Sequence, residues 1–282
     1  MIDISTIDWN EAWKEIEQEK KVKNEFASCT ERWKDRERCR KFNQKVQEDN
    51  WKRAWDRIHT MNITPSSRVL DIGAGPGTLA IPLAGIVRHI TAVEPSPGML
   101  ECLHGNMKER EIINISTIQK RWEDVDPATD LDGPYDVVVA SYSLGVRDLR
   151  AALEKMNAVS SKYVYVFWFA HLMSPRYLHY HEIWEDLFGV CPSARHTPNV
   201  IFNLLNQMGI YANVEISRTE NITRFSTLEE AVADQSDAIN LTDERQVSVL
   251  TRYLEKFMIR ENGEYLLKSK SYQAKIWWEK EN

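Results

Sequence analysis

The hydrophobic and polar positions follow one pattern before residue 60 and another after it. In the first part, tryptophan and isoleucine recur at spacings of four and then three residues. The two sets are Trp9, Trp13, Ile16 and Trp51, Trp55, Ile58. This spacing places each set on one face of a helix. The pattern predicts an N-terminal helical extension over residues 1–60, which either packs on the domain that follows or acts as a lid over a substrate.

After a turn signal at 64–67, short apolar runs alternate with longer amphipathic runs. The predicted strands are 68–72, 89–93, 115–119, 135–140, 163–169, 212–217 and 271–278. The predicted helices are 77–86, 98–109, 149–159, 200–208, 227–233 and 245–257. Strands that alternate with helices of this length form βαβ units. The pattern predicts an α/β domain over residues 61–282, with a mostly parallel seven-stranded sheet, helices on both faces and an antiparallel C-terminal edge.

Composition and charge narrow the class of protein. The 282 residues are 43% hydrophobic and 28% charged, which is typical of a globular protein rather than a disordered one. Lysine and arginine number 36 against 42 acidic residues, so the formal net charge is −6. A protein whose main role is to hold the nucleic-acid backbone is more often strongly basic. The charge therefore disfavours nucleic acid as the partner.

The cysteines and the N-terminus bear on the compartment. The cysteines are Cys29, Cys39, Cys102 and Cys191, and they form no C-x-x-C pair and no metal-finger spacing. This usage indicates reduced thiols of an intracellular protein without a bound metal. Residues 1–10 contain no basic segment of a secretory signal, and the apolar stretches are far shorter than the roughly 20 residues of a membrane-spanning helix. We expect a soluble, cytoplasmic protein with no membrane association.

The strongest chemical signal lies between the first predicted strand and the helix after it. The sequence from Val69 to Gly77 reads Val-Leu-Asp-Ile-Gly-Ala-Gly-Pro-Gly. Glycines there allow a sharp turn and a close approach of the backbone to a ligand. Glu94 lies 21 residues past Gly73, at the end of the second strand, where a carboxylate can accept hydrogen bonds from both hydroxyls of a ribose. Together these features predict a nucleoside-containing cofactor at the carboxyl ends of the strands.

The glycine motif differs from the dinucleotide fingerprint G-x-G-x-x-G/A. The third glycine, Gly77, comes one residue early, and Thr78 occupies the fingerprint position. Asp71 would repel a pyrophosphate, but it could hold an ammonium group directly or through water. The residues therefore favour a cofactor with a ribose, an amino group and no phosphate over NAD.

The motif from Asp71 to Gly77, together with Glu94, resembles that of the class I S-adenosylmethionine-dependent methyltransferases, which have a Rossmann-like fold. The resemblance covers roughly residues 66–170 and implies S-adenosylmethionine as the cofactor. It implies that the glycines shape the loop beside the methionine portion, that Asp71 lies near the amino group and that Glu94 binds the ribose. The cofactor-binding residues that it implies are Asp71, Gly73, Ala74, Gly75, Gly77, Glu94, Pro95, Trp122, Glu123, Asp124 and Ser141.

The resemblance also assigns an adenine-binding segment. Residues 121–125 are similar to the acidic motif that follows the third strand in this family. This implies that Glu123 or Asp124 accepts a hydrogen bond from the adenine amino group and that the backbone N–H of Trp122 meets a ring nitrogen. The alternatives are a place in the core for Trp122 and a solvated face for the two acids. Pro95 would flank the adenine, and Ser141 would begin the segment beside the methyl group.

The acceptor of the methyl group stays open at this stage. Methyl transfer requires that the nucleophile be aligned with the methyl carbon and that water be excluded. The segment 141–144 lacks the Asn/Asp-Pro-Pro-Tyr/Phe motif of the base-amino methyltransferases, and no cysteine lies where the cytosine-C5 enzymes need one. We expect a small molecule or a protein side chain as acceptor. The alternatives are an RNA methyltransferase and a non-catalytic S-adenosylmethionine-binding protein.

Two residues are candidates for catalysis on the acceptor side. His171 directly follows the fifth strand and could act as a general base, or it could be a hydrogen-bonded structural histidine. Tyr142 could orient the acceptor through its hydroxyl group. The segment 171–199, rich in histidine and aromatic residues, is predicted as a substrate-side insertion that closes over the acceptor together with the N-terminal extension.

Overall fold

The computed structural model describes residues 6–22, 33–171, 175–189 and 198–280. Packing divides the chain into two compact units. Unit 1 comprises residues 1–169, 198–215 and 274–282, and unit 2 comprises residues 170–197 and 216–273. The predicted N-terminal extension, residues 1–60, falls within unit 1, and most of the predicted insertion 171–199 falls within unit 2.

The sheet consists of eight strands. They are β1 (Arg68–Ile72), β2 (His89–Val93), β3 (Ile115–Ile118), β4 (Tyr135–Ser141), β5 (Ser160–Phe169), β6 (Asn213–Phe225), β7 (Ile259–Glu261) and β8 (Glu264–Glu279). Their order is β3-β2-β1-β4-β5-β8-β6, and β7 pairs with β8. The pairs among β1 to β5 are parallel, whereas β7 and β8 are antiparallel. The predicted mostly parallel sheet with an antiparallel C-terminal edge is confirmed, and β7 is an eighth strand that the prediction lacked.

The described residues also form eleven helices. They are α1 (Trp9–Val22), α2 (Arg36–Glu48), α3 (Lys52–Ile58), α4 (Ala80–Leu83), α5 (Pro97–Glu109), α6 (Leu149–Val159), α7 (Pro175–Tyr180), α8 (Trp184–Phe188), α9 (Pro198–Gln207), α10 (Leu228–Ile239) and α11 (Glu244–Phe257). Side-chain caps set several of their starts. Ser96 accepts a hydrogen bond from the backbone N–H of Met99 at the start of α5, and Asp148 accepts one from Ala151 at the start of α6.

Neighbouring residues of the central strands enter two separate hydrophobic clusters. In β4, Val138 belongs to the first cluster and Val139 to the second. Successive side chains of a strand point to opposite faces of the sheet, so the two clusters lie on its two faces. The first contains Trp13 of α1, and the second contains Ile58 of α3. N-terminal helices therefore supply core residues on both faces of unit 1.

Hydrogen bonds attach α1 and α2 to the rest of unit 1. The indole Nε1 of Trp13, a side chain with 0% exposure, donates to the carbonyl oxygen of Val146 at 2.8 Å. Gln47 of α2 donates to the side-chain oxygen of Asn106 in α5 at 2.7 Å, and Asn106 donates to Asn43 at 2.8 Å. These contacts make both helices part of the packed structure. A lid function for residues 1–60 stays a prediction.

Unit 2 has its own packing around tyrosines. The hydroxyl of Tyr180 donates to Gln235 of α10 at 2.5 Å, and that of Tyr253 donates to the carbonyl oxygen of His179 at 2.7 Å. Within the predicted insertion, residues 172–174 and 190–197, Cys191 included, lie outside the described residues, as does Cys29. Among the helices that the structure describes, none is both long and apolar enough to cross a membrane.

Candidate cofactor-binding site

The loop after β1 owes its shape to three glycines with left-handed backbone angles. Their φ values are +69° at Gly73, +58° at Gly75 and +86° at Gly77. A Cβ atom on Gly73 would overlap Ser143, and one on Gly77 would lie 2.6 Å from a methyl carbon of Leu103. A Cβ atom on Gly75 would meet no described atom within 4 Å. Packing against the protein therefore explains two of these glycines, and Gly75 is the one that faces open space.

Hydrogen bonds join this loop to the end of β2. The backbone N–H groups of Gly73 and Ala74 donate to the carbonyl oxygen of Val93 at 2.7 and 3.1 Å. The N–H of Gly75 donates to one carboxylate oxygen of Glu94 at 2.8 Å. The motif after β1 and the acid after β2, which the sequence placed 21 residues apart, thus form one structure.

Glu94 is buried, with 6% exposure, yet its carboxylate oxygens can accept further hydrogen bonds. One oxygen accepts the N–H of Gly75 and the other accepts the N–H of Ser96, each at 2.8 Å. Burial raises the pKa of Glu94, and these two N–H donors act in the opposite direction. A carboxylate has about four lone-pair positions, so each oxygen can accept one further hydrogen bond. Two neighbouring hydroxyls of a ribose would satisfy them.

Asp71 carries a buried oxygen without a partner. The residue has 1% exposure, and among the described residues its Oδ2 atom makes no hydrogen bond. The pKa of Asp71 is raised to about 7, mainly by burial and also by the charge of Glu94. Attraction to Arg57 and a hydrogen bond from the backbone of Ala80 act in the opposite direction. A buried carboxylate with an unsatisfied oxygen is costly unless a cation or donor meets it. The site therefore favours a ligand with a positively charged donor.

Arg57 of α3 lies close enough to Asp71 for its charge to lower the pKa of that carboxyl, and it contacts Tyr142, which directly follows β4. The guanidinium carbon of Arg57 is 5.6 Å from the centre of the Tyr142 ring. Within the described part of the chain, the buried Nε of Arg57 and the hydroxyl oxygen of Tyr142 both lack a hydrogen-bond partner. Burial lowers the pKa of Arg57 and raises that of Tyr142 to about 12. Together with Asp71, these residues bring three orphaned polar atoms to one region, which is typical of a site completed by a ligand.

Tyr142 is held in place from two sides. Its backbone has a left-handed φ of +57°, and its N–H donates to the carbonyl oxygen of Phe167 at 2.9 Å. Its ring lies 4.7 Å from that of Phe169. A left-handed tyrosine is strained, and such residues concentrate at functional sites. Ser141, the predicted residue just before it, ends β4 and pairs with Phe167.

The predicted adenine segment is held by a lysine. Lys155 of α6 donates to the backbone carbonyl oxygens of Trp122, Glu123 and Val125 at 2.9, 3.0 and 2.7 Å. The indole of Trp122 is buried and donates to the carbonyl oxygen of Ala152 at 3.2 Å. The Trp122 side chain therefore belongs to the core, and its backbone N–H is the group left for the predicted adenine contact.

Glu123 and Asp124 differ in whether their carboxylates already accept hydrogen bonds from the protein. The Glu123 carboxylate accepts from the Arg121 guanidinium and from the backbone N–H of Arg147, at 3.1 Å in each case. Asp124 is exposed, and its carboxylate makes no hydrogen bond with any described residue. Of the two predicted acceptors for an adenine amino group, Asp124 is thus the one with free oxygens.

His171 lies in unit 2. Its Nε2 accepts a hydrogen bond from the backbone N–H of Tyr272 at 2.9 Å, and burial lowers its pKa. The imidazole is therefore neutral near pH 7 with one nitrogen engaged. The general-base function of His171 stays a prediction. Over the described ranges, no group of three or more His, Cys, Asp or Glu side chains is arranged to hold a metal ion.

The structure brings most of the predicted cofactor residues together. The loop glycines, Ala74, Asp71 and Glu94 lie close to one another, and Pro95 directly follows Glu94. The contacts of Arg57 with Tyr142 and of Lys155 with residues 122–125 were not predicted, because neither basic residue belongs to a motif. Arg57 is one basic residue in a helix that also contains Lys52 and Arg53, and the sequence does not show which of them turns inward.

The residues fit S-adenosylmethionine on three observations. Gly75 faces open space, Glu94 has accepting capacity for a ribose, and Asp71 has a buried oxygen that an ammonium group would satisfy. Each is a property of the protein that the phosphate-free ligand would complete.

Comparison with known proteins agrees with this geometry. Residues 69–162 match the family described as a methyltransferase domain. An uncharacterized protein of Haemophilus influenzae is 29% identical over 226 residues, covering 78% of this chain and 79% of that protein. A protein-L-isoaspartate O-methyltransferase of Serratia proteamaculans is 33% identical over 81 residues, which cover 29% of this chain and 38% of that protein.

Solved structures share the fold. A putative methyltransferase from Bacillus halodurans has a TM-score of 0.56 at 14% identity, with 81% of this chain and 99% of that chain covered. The YcgJ protein from Bacillus subtilis has a TM-score of 0.53 at 15% identity, with 79% and 97% covered. The chain thus contains a methyltransferase domain at residues 69–162 and shares the fold of these solved structures.

Proposed function

We propose that this methyltransferase transfers the methyl group of S-adenosylmethionine to a small molecule or a protein side chain. The observation that supports the cofactor site most directly is the buried Oδ2 of Asp71, which lacks a partner among the described residues beside a glycine loop open at Gly75. Bound S-adenosylmethionine supplies a methyl group on a positively charged sulfur, which is already activated for transfer. The protein therefore has to bind and orient the cofactor and the methyl acceptor, and it has to exclude water.

Different residues bind different parts of the cofactor. In this proposal Glu94 accepts from the ribose hydroxyls, and Asp71 binds the amino group of the methionine portion. Asp124 accepts from the adenine amino group in preference to Glu123, whose oxygens are already engaged. The backbone N–H of Trp122 meets the adenine ring and Pro95 flanks it, while Ser141 borders the methyl group.

Tyr142 is suited to orient the acceptor rather than to deprotonate it. Its pKa is raised to about 12, so the phenol stays protonated near neutral pH and donates a hydrogen bond. A phenol that stays protonated does not act as a base, so it serves an acceptor atom that already has a free electron pair, such as an amine nitrogen, a thiolate or a carboxylate. An acceptor that must lose a proton first would need another base, and His171 is the predicted candidate.

The distribution of charge supports a small molecule or a protein over RNA. The exposed arginines of the N-terminal helices lie near acids rather than forming a continuous basic surface. Arg36 is 3.8 Å from Glu101, Arg40 is 4.0 Å from Glu37, and Arg53 is 3.7 Å from Asp49. Counterion release at the phosphate backbone needs cations that are free to contact it. The name of the Serratia relative specifies a protein acceptor, which supports the protein side-chain alternative.

A labelling experiment tests this proposal. The full-length protein and its Glu94→Gln variant are incubated with methyl-labelled S-adenosylmethionine and a cell extract, which is then separated into small molecules, protein and RNA. We expect label in the small-molecule or the protein fraction with the wild type and much less with the variant. Label confined to RNA would contradict the proposed acceptor class. Cofactor binding without label in any fraction would indicate a non-catalytic binding protein.

A further inference from the structure

β6 lies at one end of the sheet and is unusually long. It spans 13 residues, Asn213–Phe225, whereas strands of about five or six residues are the most common. In the sheet order β6 follows β8, and no strand among the described residues pairs with its other edge. All of its residues except the last are exposed or half-buried. Such an edge presents backbone N–H and C=O groups that can pair with a further strand.

One face of β6 exposes isoleucines beside charged side chains. Ile216 and Ile222 are 55% and 51% exposed, although isoleucine is among the residue types that are most often buried. Between them, Arg218 and Glu220 are exposed and form an ion pair within the strand. Alternate residues of a strand share one face, so the four side chains form a row in the order apolar, basic, acidic, apolar.

This row is complementary to itself when the strand pairs antiparallel with a second copy. A twofold axis at Thr219, the middle residue of β6, places residues that are equally far from Thr219 opposite each other. Arg218 then lies opposite Glu220 of the second copy, and Ile216 lies opposite Ile222. The axis repeats each of these contacts. Each Arg218 also lies beside Glu220 of its own strand, so the charges alternate in sign around the axis.

The neighbouring registers lack this match. A twofold axis at Arg218 would place the two copies of this arginine opposite each other, and an axis at Glu220 would do the same with the glutamate. Each of these registers would also place an isoleucine opposite a charged residue. Like charges directly opposite each other are destabilising, whereas opposite charges are stabilising. The side chains therefore favour the register that is centred on Thr219.

We propose that two copies of the chain dimerise by pairing their β6 strands antiparallel about Thr219, so that their sheets join into one. The strands gain backbone hydrogen bonds, the isoleucines are removed from water, and the charge pairs select the register. A second copy is the partner that this pattern fits, because the same row of side chains supplies both halves of every contact. The inference goes beyond the proposed function and does not depend on it.

Charge reversal tests the pairing on the full-length protein. We expect the wild type to be a dimer at micromolar concentration in sedimentation-velocity experiments. Arg218→Glu and Glu220→Arg each place like charges opposite each other, so each should weaken dimerisation by about 30- to 1,000-fold. An equimolar mixture of the two variants should form a heterodimer, because every charge then lies opposite its complement. The variant with both substitutions should dimerise as the wild type does.

A cysteine on the axis tests the register. The two copies of residue 219 would lie directly opposite each other, with their Cα atoms about 4.5–5.5 Å apart, a distance that a disulfide can span. Thr219→Cys should therefore form a disulfide-linked dimer on mild oxidation, as measured by electrophoresis without a reducing agent. In the control Ser217→Cys, each new cysteine would lie opposite Asn221 and about 13 Å along the strands from the other, so no link should form.

Two further controls make the outcome decisive. Both single charge variants should unfold thermally as the wild type does, because an exposed ion pair contributes little to stability. Arg88→Glu, the same change at an exposed arginine before β2, should not affect dimerisation. A wild type that stays monomeric at every concentration would overturn the inference. A dimer that survives Arg218→Glu, or a mixture of the two single variants that does not associate, would do so as well, because neither fits the pairing about Thr219.

Discussion

The carboxylate of Glu94 accepts hydrogen bonds from two backbone N–H groups, those of Gly75 and Ser96, each at 2.8 Å. One side chain thus fixes the glycine loop and the start of the segment before α5. The remaining lone pairs point to the ribose function that the sequence predicted. In the proposed function, Glu94 therefore both shapes the loop and binds the ligand.

This coupling makes Glu94 a sensitive position for substitution. In Glu94→Gln the amide NH₂ group would face one of the two backbone donors, and the charge that strengthens the ribose hydrogen bonds would be lost. We expect affinity for S-adenosylhomocysteine to fall by about 10- to 100-fold, or roughly 1–3 kcal/mol, as measured by calorimetry. The control is Glu101→Gln, at an exposed glutamate of α5. Wild-type affinity in Glu94→Gln would exclude Glu94 from the ribose site.

At the residue scale, the sequence predicts positions where residue type and spacing carry the signal. Glycine adopts the left-handed φ of +58° at Gly75 at low cost, and a carboxylate such as that of Glu94 has lone pairs for two hydroxyls. Arg57 carries no such signal, because its contact with Tyr142 joins segments that are distant in sequence. Packing alone decides which arginine of α3 turns inward.

At the scale of elements, the segment between β3 and β4 depends on a helix that follows much later in the chain. The ammonium group of Lys155 in α6 donates to three carbonyl oxygens of residues 122–125 and lies 5.1 Å from the Trp122 ring centre. Burial lowers the pKa of Lys155, and nearby acids, Asp124 first among them, oppose this. The lysine therefore sets the backbone that presents Asp124 and the Trp122 N–H.

We expect Lys155→Met to destabilise the protein and to weaken cofactor binding together. Methionine keeps most of the aliphatic length but leaves three carbonyl oxygens without their charged donor, at a cost of about 1–3 kcal/mol. Thermal unfolding and calorimetry with S-adenosylhomocysteine measure the two effects. Lys162→Met is the matched control, since Lys162 is an exposed lysine paired with Asp136 at the surface. Unchanged cofactor affinity in a destabilised Lys155→Met would show that residues 122–125 do not contact the cofactor.

The elements that the sequence predicted best are those buried on both sides. β1 and β2 have the predicted bounds, because continuous apolar runs with turns at each end leave little choice of register. The predicted helix 77–86 is reduced to α4, and the left-handed φ of Gly77 excludes that residue from the helix. β6 and β7 are largely exposed, so their sequences show no regular alternation of apolar and polar residues. For this reason the sequence predicted only part of β6 and did not predict β7.

For the molecule as a whole, the site makes the free energy of unfolding depend on pH. Asp71 titrates at about 7 in the folded protein and near 3.8 in a model peptide, because burial disfavours its charged form. Between these values the folded protein retains a proton that the unfolded chain has released. Stability is therefore lost as the pH rises from about 4 to 7 and is constant above that range. Asp136 behaves oppositely: burial acts to raise its pKa, but Lys162 and the N–H of Arg68 lower it overall.

We expect Asp71→Asn to be more stable than the wild type at pH 8 without ligand, and nearly equal to it near pH 4. Each pKa unit corresponds to about 1.4 kcal/mol, and the two pKa values of Asp71 differ by about three units, so the gain at pH 8 is on the order of 4 kcal/mol. The control Asp136→Asn should lose stability at pH 8, because it removes a carboxylate that folding favours in its charged form. Denaturant unfolding at the two pH values measures these differences.

Adding S-adenosylhomocysteine should reverse the order of wild type and Asp71→Asn at pH 8. A ligand stabilises a protein only in proportion to its binding, and the variant lacks the charge that holds the ammonium group. The carboxylate that destabilises the ligand-free protein is then the group through which the cofactor stabilises it, as expected where a binding site is maintained at the expense of stability. If Asp71→Asn is less stable than the wild type without ligand at pH 8, the charge of Asp71 is satisfied within the protein. The ammonium site would then have to be placed elsewhere.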